Sequence, residues 1–234
     1  MATLLLRCVA PLQSWDTQSR FGIRTTGREP SKSGIVGMLC AALGRPRDEP
    51  VTDLARLKMG VRVDREGSIL RDFQTAGKGG YLKAGGSVEK TNVITSTRYY
   101  LADAAFLVGL EGERAVLEEL HAALRNPHWL LCLGRKACPP ALPPYLPDGL
   151  CDGDLLLALK TYPWLGSFAW QYKRLGNVRI VVDHNEGPQV RYDTPISFAK
   201  GQRSFAPRRI STSFIEKPPF RSEQLAAADD QEEA

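Results

Sequence analysis

The sequence has few cysteines, and no two of them have the spacing of a paired-cysteine motif. The five cysteines are scattered along the chain, and no C-x-x-C pair is present. This distribution argues against a disulfide framework and against the usual zinc-binding spacings. We therefore expect a reduced protein that holds no metal ion and no cofactor.

Long hydrophobic runs are also missing. No stretch approaches the 18 or so consecutive apolar residues that read as a membrane-spanning helix. The first residues lack the charged start of a signal peptide. We expect a cytoplasmic protein without a membrane partner.

Catalytic signatures are equally scarce. The three histidines, His121, His128 and His184, form neither an H-x-E nor an H-E-x-x-H motif, and G-x-S-x-G is absent. We predict no catalytic residues. A metal-independent ribonuclease needs only a base near a 2′-hydroxyl and a cation for the transition state, so this activity stays open as the alternative.

One segment, GREPSKS at residues 27–33, superficially resembles a phosphate-binding P-loop. A P-loop requires glycine directly before the lysine and again six positions before it, where this chain has Ser31 and Thr26. Pro30 also removes a backbone N–H that a phosphate cradle would use. The sequence therefore argues against nucleotide hydrolysis.

Positive charge is abundant but uneven. The chain has 31 Lys and Arg against 26 Asp and Glu. Residues 223–234 hold five of the acids and no cation, which leaves 31 cations against 21 acids, a net charge of +10, on the first 222 residues. A basic body favours a polyanion, most often a nucleic acid, as partner. We expect the acidic tail at 223–234 to be disordered.

The most informative segment runs from residue 11 to residue 44. It follows a short apolar strand at residues 4–9, carries basic and aromatic residues, and leads into a helix that Ser31 or Ser33 caps and Gly44 ends. A basic loop that delivers a helix N-terminus can hold the backbone of a polyanion. Its candidate RNA-binding residues are Gln13, Trp15, Arg20, Arg24, Arg28, Lys32 and Ser33.

Two of these assignments have a structural alternative. Lys32 and Ser33 either hold a phosphate at the helix start or belong to a simple N-terminal cap. Trp15 either stacks on a base or covers the hydrophobic core of its own domain.

The predicted strands and helices follow one another in the order of a known domain type. Strands are predicted at 4–9, 58–64, 98–110 and 129–133, with helices at 31–43 and 113–125 and a Gly- and Lys-rich insertion at 71–97, either a long hairpin or a partly ordered loop. This is the split βαβ order of a ferredoxin-like or RNA-recognition-type domain, in an α+β fold. Such a sheet leaves one face free for RNA, but the usual aromatic pattern is absent, so loops are the better candidates.

The last predicted strand runs directly into Gly134, Arg135 and Lys136. Glycine permits a close backbone approach, and two cations follow. This segment is either a phosphate-facing loop or a solvated turn. Together with Arg98, which begins the strand after the insertion, these three residues complete the predicted RNA-binding set.

We predict three parts in the chain. Residues 1–138 form the RNA-recognition-like domain with the insertion at about 71–97. A proline-rich bridge then leads to a small, mostly β region at 139–222, with strands at 155–161 and 178–182 and mixed strand and loop character at 189–215. The acidic tail follows at 223–234.

Six motifs in the first 140 residues resemble the CasD family. These proteins are the small RAMP-superfamily subunits of the type I-E CRISPR surveillance complex, Cascade. The motifs are PLQSW at 11–15, SRFG at 19–22, GREPSKSG at 27–34, DFQT at 72–75, TRYYL at 97–101 and LGRKACP at 133–139.

The resemblance implies a protruding thumb at 71–97, a glycine-rich loop at 134–139, and a protein that caps the 5′ handle of the CRISPR RNA. Implied partners are the terminal copy of the repeated backbone subunit, the large subunit that reads the PAM and, through the complex, target DNA. A separate endonuclease processes RNA in such complexes, so the resemblance implies a non-catalytic role. A scaffold whose basic face only docks other subunits is a further alternative.

Overall fold

The computed structural model describes residues 1–16, 22–166 and 168–220. Predicted Arg20 and the acidic tail therefore lie outside the described residues. Thirteen strands and five helices form in this part of the chain, which confirms a mixed α and β fold. Among these helices, none has the length and hydrophobicity to span a membrane.

The strands are β1 Ala2–Val9, β2 Leu12–Gln13, β3 Ile23–Arg24, β4 Lys58–Arg65, β5 Ser68–Ala76, β6 Tyr81–Leu82, β7 Val88–Glu89, β8 Ile94–Ala102, β9 Ala105–Gly112, β10 Leu150–Asp152, β11 Val178–Asp183, β12 Gln189–Ser197 and β13 Ser204–Ile215. The helices are α1 Lys32–Leu43, α2 Thr52–Ala55, α3 Arg114–Arg125, α4 Leu155–Thr161 and α5 Ala169–Lys173.

Seven strands form one antiparallel sheet in the order β10-β1-β9-β4-β11-β13-β12. Strands from both sides of residue 138 share this sheet, because β4 pairs with β11. The proline-rich segment lies along the edge of β1, where Leu5 and Arg7 donate backbone hydrogen bonds to Gly149 and Pro144.

Helices cover both faces of this sheet. α1 and α3 pack on the side of Leu4, Leu6 and Phe106, and α4 packs on the side of Leu5 and Leu107. The face that we expected to be free for RNA is therefore covered by α4. This also explains why β4 is buried on both sides.

Two glycines allow the close approach of α4. Gly60 and Gly109 lie opposite each other on β4 and β9. A Cβ atom on Gly109 would lie 2.5 Å from Cδ1 of Leu155, and one on Gly60 would lie 2.7 Å from Cδ1 of Leu159. A larger residue at either position would push the helix away from the sheet.

The predicted first helix is confirmed, and its cap is Ser31 rather than Ser33. The Ser31 hydroxyl accepts a hydrogen bond from the backbone nitrogen of Gly34 at 3.3 Å. At the other end Gly44 adopts a φ of 78°, and its N–H bonds to the carbonyl of Cys40. The helix at 113–125 is confirmed as α3.

The strand predicted at 155–161 is wrong, because this segment forms α4. Asp154 caps it by accepting hydrogen bonds from the N–H groups of Leu156 and Leu157, each at 3.0 Å. Leu155, Ala158 and Leu159 are buried at helical spacing. A short run rich in leucine does not distinguish a buried strand from a short buried helix.

The strand predicted at 129–133 is also wrong. The N–H groups of His128 and Trp129 bond to carbonyls at the end of α1, those of Ala42 and Ala41, at 2.9 and 3.0 Å. Leu130 is 94% exposed. Because β10 pairs with the edge of β1, the segment has no strand partner there.

The strand predicted at 98–110 is divided into β8 and β9 by a turn at Asp103, whose φ is 57°. β8 leaves the main sheet and pairs with β5 over nine residues. This pairing confirms the long hairpin among the two possibilities for the insertion. β6 and β7 form a small sheet between β5 and β8.

Candidate nucleic-acid interface

The loop at 132–138 forms a tight turn that only glycine permits at its apex. Leu133 donates a backbone hydrogen bond to Cys138 at 2.8 Å, and Cys138 donates one to Arg135 at 2.9 Å. Gly134 has a φ of 91°, and a Cβ atom there would lie 1.7 Å from the carbonyl oxygen of Ser14. The glycine is therefore required by backbone conformation and by contact with another loop.

Arg135 fastens this loop to its neighbours. Its Nη1 donates to the carbonyl of Tyr99 at 2.9 Å, and its Nη2 donates to the carbonyls of Arg24 and Thr25 at 2.9 and 2.8 Å. The guanidinium also lies 4.9 Å from the centre of the Tyr100 ring. These contacts make Arg135 a positioning residue that holds the backbone of Arg24.

Three predicted cations remain exposed around this loop: Arg24, Arg28 and Lys136. None of the three forms an ion pair with the part of the chain that the structure describes. Exposed cations of this kind attract phosphates at little desolvation cost.

Arg98 lies beside Arg24 on one face of a second sheet, which consists of β2, β3, β5 and β8. Arg24 is the register partner of Arg98 in the parallel pair of β3 and β8, and Asp72 is its partner on β5. Directly opposed residues share a face of a sheet. The Arg98 Nε is buried without a hydrogen-bond partner among the described residues. Arg24, Arg98 and Asp72 therefore share one face midway along β5 and β8, where the two arginines outnumber the one acid.

Lys32 and Ser33 differ from the prediction, because the start of α1 already holds a carboxylate of the chain itself. The Lys32 backbone nitrogen donates to Oδ2 of Asp193 at 2.9 Å, and its Nζ lies 2.9 Å from Oδ2 of Asp183. Both Lys32 and Ser33 are buried. The anion that the helix N-terminus favours is supplied by β12.

Arg208 completes this ion network. It binds Asp193 through both carboxylate oxygens, at 2.6 and 2.9 Å, and also pairs with Asp183. Burial lowers the pKa of Arg208, but the hydrogen bonds and charges of the two carboxylates outweigh this and raise it above its usual range. The network joins α1 to β11, β12 and β13.

Glu29 anchors the basic loop to the second half of the chain. Its carboxylate accepts from Arg179 at 3.0 Å and from Arg191 at 2.6 Å. Arg179 also pairs with Glu66 at 2.8 Å, and this hydrogen bond is the largest contribution to its raised pKa. No local pattern in the sequence indicates these partners, because they lie some 150 positions from Glu29 and form no motif with it.

Gln13 and Trp15 are corrected to core residues. Gln13 is fully buried and donates to the carbonyls of Cys8 and Ala104. Trp15 is 2% exposed and donates its indole N–H to Gln13 at 3.0 Å. In this conformation neither side chain has surface for a base, and the covering role considered for Trp15 is the one observed.

Each of the three histidines contacts other residues of the fold. His121 Nε2 lies 2.9 Å from the carbonyl oxygen of Leu146, and its ring packs against Tyr145. His184 Nδ1 accepts from its own turn, and His128 packs over Gly44. Within residues 1–16, 22–166 and 168–220, no group of three His, Cys, Asp or Glu residues could hold a metal ion.

Comparison with known proteins identifies the family. The family model described as "CRISPR-associated protein (Cas_Cas5)" matches residues 3–211. The chain is 34% identical over 179 residues to "CRISPR system Cascade subunit CasD" of Escherichia coli (strain K12), which covers 70% of this chain and 78% of the relative.

Two solved structures are similar over nearly the whole chain. "Crystal structure of Cas protein" has 44% identity and a TM-score of 0.75, and covers 93% of this chain and 98% of that one. A chain from "CRISPR RNA-guided surveillance complex" has 31% identity and a TM-score of 0.76. The match covers 98% of this chain and 100% of that one. The chain therefore belongs to the Cas5 family of CRISPR-associated proteins, which confirms the resemblance to CasD found in its motifs.

Proposed function

We propose that this chain is a non-catalytic subunit of a cytoplasmic CRISPR surveillance complex and caps the 5′ handle of the CRISPR RNA. Its partners are then the terminal backbone subunit, the large PAM-reading subunit and, through the complex, target DNA. Family membership and the likeness to a relative named as a Cascade subunit support the assignment to a complex.

One observation carries the RNA-binding part of the proposal. Arg24, Arg28 and Lys136 are exposed, and Arg135, which lies next to Lys136, holds the backbone of Arg24 in place. A single strand needs cations spaced along its backbone, and a backbone that is already ordered lowers the cost of placing them at binding.

The strand order supports a ferredoxin-like domain, but its fourth strand, β10, lies beyond residue 138, where the predicted domain ended. β10-β1-β9-β4, with α1 and α3 on one side, corresponds to the 4-1-3-2 order of a ferredoxin-like β-α-β-β-α-β domain. In this proposal the hairpin of β5 and β8 is the thumb, and the strands β11 to β13 form the C-terminal region.

The decisive experiment is assembly of the complex with charge-removing variants. We expect Arg24→Ala, Arg28→Ala and Lys136→Ala each to weaken binding of handle RNA and to reduce the salt dependence by about 0.7 in log–log slope, the value for one single-strand phosphate contact. Arg47→Ala is the matched control, because Arg47 is also exposed but follows the opposite end of α1. Unchanged affinity and slope in all three variants would overturn the proposal.

Two further outcomes separate the alternatives. Incubation of the purified protein with repeat RNA in EDTA should leave the RNA intact, whereas site-specific cleavage would favour the ribonuclease. An RNA-free complex of normal subunit composition would favour a scaffold that only docks other subunits.

A further inference from the structure

A second concave site lies at the end of the main sheet, where β4 ends, β11 begins and β13 ends. It is a cleft of about 400 Å³, within the usual range for ligand sites. It shares no residue with the interface around Arg135. The residues that matter to its chemistry are Arg65, Trp164, Trp170, Gln171, Arg174 and Phe214.

The rear wall of the cleft is fixed before any ligand arrives. Trp164 is 3% exposed, and its indole N–H donates to the carbonyl of Asp64 at 3.0 Å. Phe220 packs on Trp164 and, at 4.7 Å between ring centres, on Tyr172. A pre-formed wall lowers the entropic cost of binding.

The front of the cleft offers exposed aromatic surface with a cation beside it. Trp170 is 54% exposed and Phe214 is 67% exposed. The Arg174 guanidinium lies 5.8 Å from the centre of the Trp170 ring. Exposed rings beside arginine are the elements with which proteins hold a base and its phosphate.

Two polar atoms in the lining are buried without a partner among the described residues, Arg65 Nε and Gln171 Oε1. The first is a hydrogen-bond donor and the second an acceptor. A β-bulge between β4 and β9 immediately precedes Arg65, and bulges commonly redirect side chains. Unsatisfied buried groups of opposite type match a ligand edge that carries both an acceptor and a donor, as nucleobases do.

The charge of the cleft favours an anion. Arg179 in the same wall is neutralised by Glu66 and Glu29, and Asp64 is paired with Arg62. Arg65 and Arg174 form no ion pair with the described part of the chain. Two positive charges therefore remain uncompensated beside the aromatic rings.

We propose that this cleft binds one nucleotide of a single-stranded nucleic acid. The base stacks on Trp170, its edge bonds to Arg65 and Gln171, and its phosphate pairs with Arg174. The strand comes either from the guide RNA beyond the handle contacts or from a DNA strand displaced during target binding. This site goes beyond the handle-binding function proposed above and does not depend on it.

The test measures binding of fluorescein-labelled 12-nucleotide RNA and DNA strands to the full chain, and photocrosslinking of 5-iodouridine strands in the assembled complex. Trp170→Ala should weaken strand binding roughly fivefold to hundredfold, the range for loss of one stacked base. Arg174→Glu should also weaken strand binding, although this substitution leaves the Trp170 ring in place. Trp129→Ala is the matched control, because Trp129 is a 46% exposed tryptophan elsewhere on the surface; we expect no change.

Crosslinks to Trp170 or Phe214 from the RNA strand, the DNA strand or both support the site and identify its source. The proposal is overturned if neither variant affects either strand, or if Trp129→Ala has an equal effect. It is also overturned if the variants lose a protein subunit while strand binding is unchanged, since the cleft is then a protein interface. Arg24→Ala and Lys136→Ala should leave the Trp170 crosslink intact, so failure of handle binding and failure of this site are separately visible.

Discussion

The backbone nitrogen of Lys32 donates a hydrogen bond to the Asp193 carboxylate over 2.9 Å, although 161 positions separate the two residues. This contact fills the helix N-terminus, for which the sequence left open either an RNA phosphate or a simple N-terminal cap. The RNA-binding proposal therefore depends on the exposed cations around Arg135 and not on the start of α1.

Removing the Asp193 carboxylate should destabilise the fold rather than RNA binding alone. Asp193→Ala removes the carboxylate at the start of α1 and leaves Arg208 and Lys32 to share Asp183, and we expect a loss of about 3 kcal/mol in the free energy of unfolding. Urea denaturation measures it. Asp53→Ala removes a paired but more exposed carboxylate from Arg45 and should cost less than about 1 kcal/mol. Equal effects of the two substitutions would contradict the structural role of the network.

Gly134→Ala should be far more damaging than an alanine at another glycine with a similar positive φ. Gly79 has a φ of 95°, but a Cβ atom there would meet no other atom within 4 Å, so Gly79→Ala should cost only the backbone strain, about 1–2 kcal/mol. At Gly134 the contact with Ser14 adds to this strain. Thermal or urea unfolding compares the two variants, and similar losses would show that the close contact is unimportant.

Arg135 should act on RNA through the position of Arg24. We expect Arg135→Ala and Arg24→Ala to weaken handle binding non-additively, with a coupling of about 1 kcal/mol in a double-mutant cycle. Arg135→Lys distinguishes position from charge, because lysine keeps the charge but cannot bind three carbonyls with one planar fork. If Arg135→Lys restores full affinity, Arg135 contributes charge alone and the positioning role is wrong.

The thiol of Cys40 should resist alkylation in the native protein. Burial, the largest cause, raises its pKa to about 11, and Cys40 is 7% exposed. At pH 8 only about 0.1% is thiolate at that pKa, so reaction with iodoacetamide should be slow and should accelerate as the pH rises towards 11. Mass spectrometry follows it site by site, with urea-unfolded protein, in which all five cysteines should react, as the control. Labelling of native Cys40 at the rate of a free thiol would contradict the burial.

Local patterns in the sequence were sufficient for several elements. The Ser31 and Gly44 signals at the ends of α1 depend only on neighbouring backbone groups. The amphipathic repeat of α3 likewise formed as expected, and the insertion formed the long β5–β8 hairpin, one of the two forms left open for it. The segment 155–161 was misread because its leucines fit a strand as well as a helix, and burial under Gly60 and Gly109 was visible only in three dimensions.

The sequence by itself determined the family, the basic character of the body and the identity of the Gly134–Arg135–Lys136 loop. Only the tertiary structure decided which cations remain available to a ligand. Lys32 and Arg208 are neutralised by Asp183 and Asp193, whereas Arg24 and Lys136 stay exposed. The physical reason is that charge pairing depends on sheet register and on how closely distant strands approach each other. No periodic pattern in the sequence indicates which distant residues will meet.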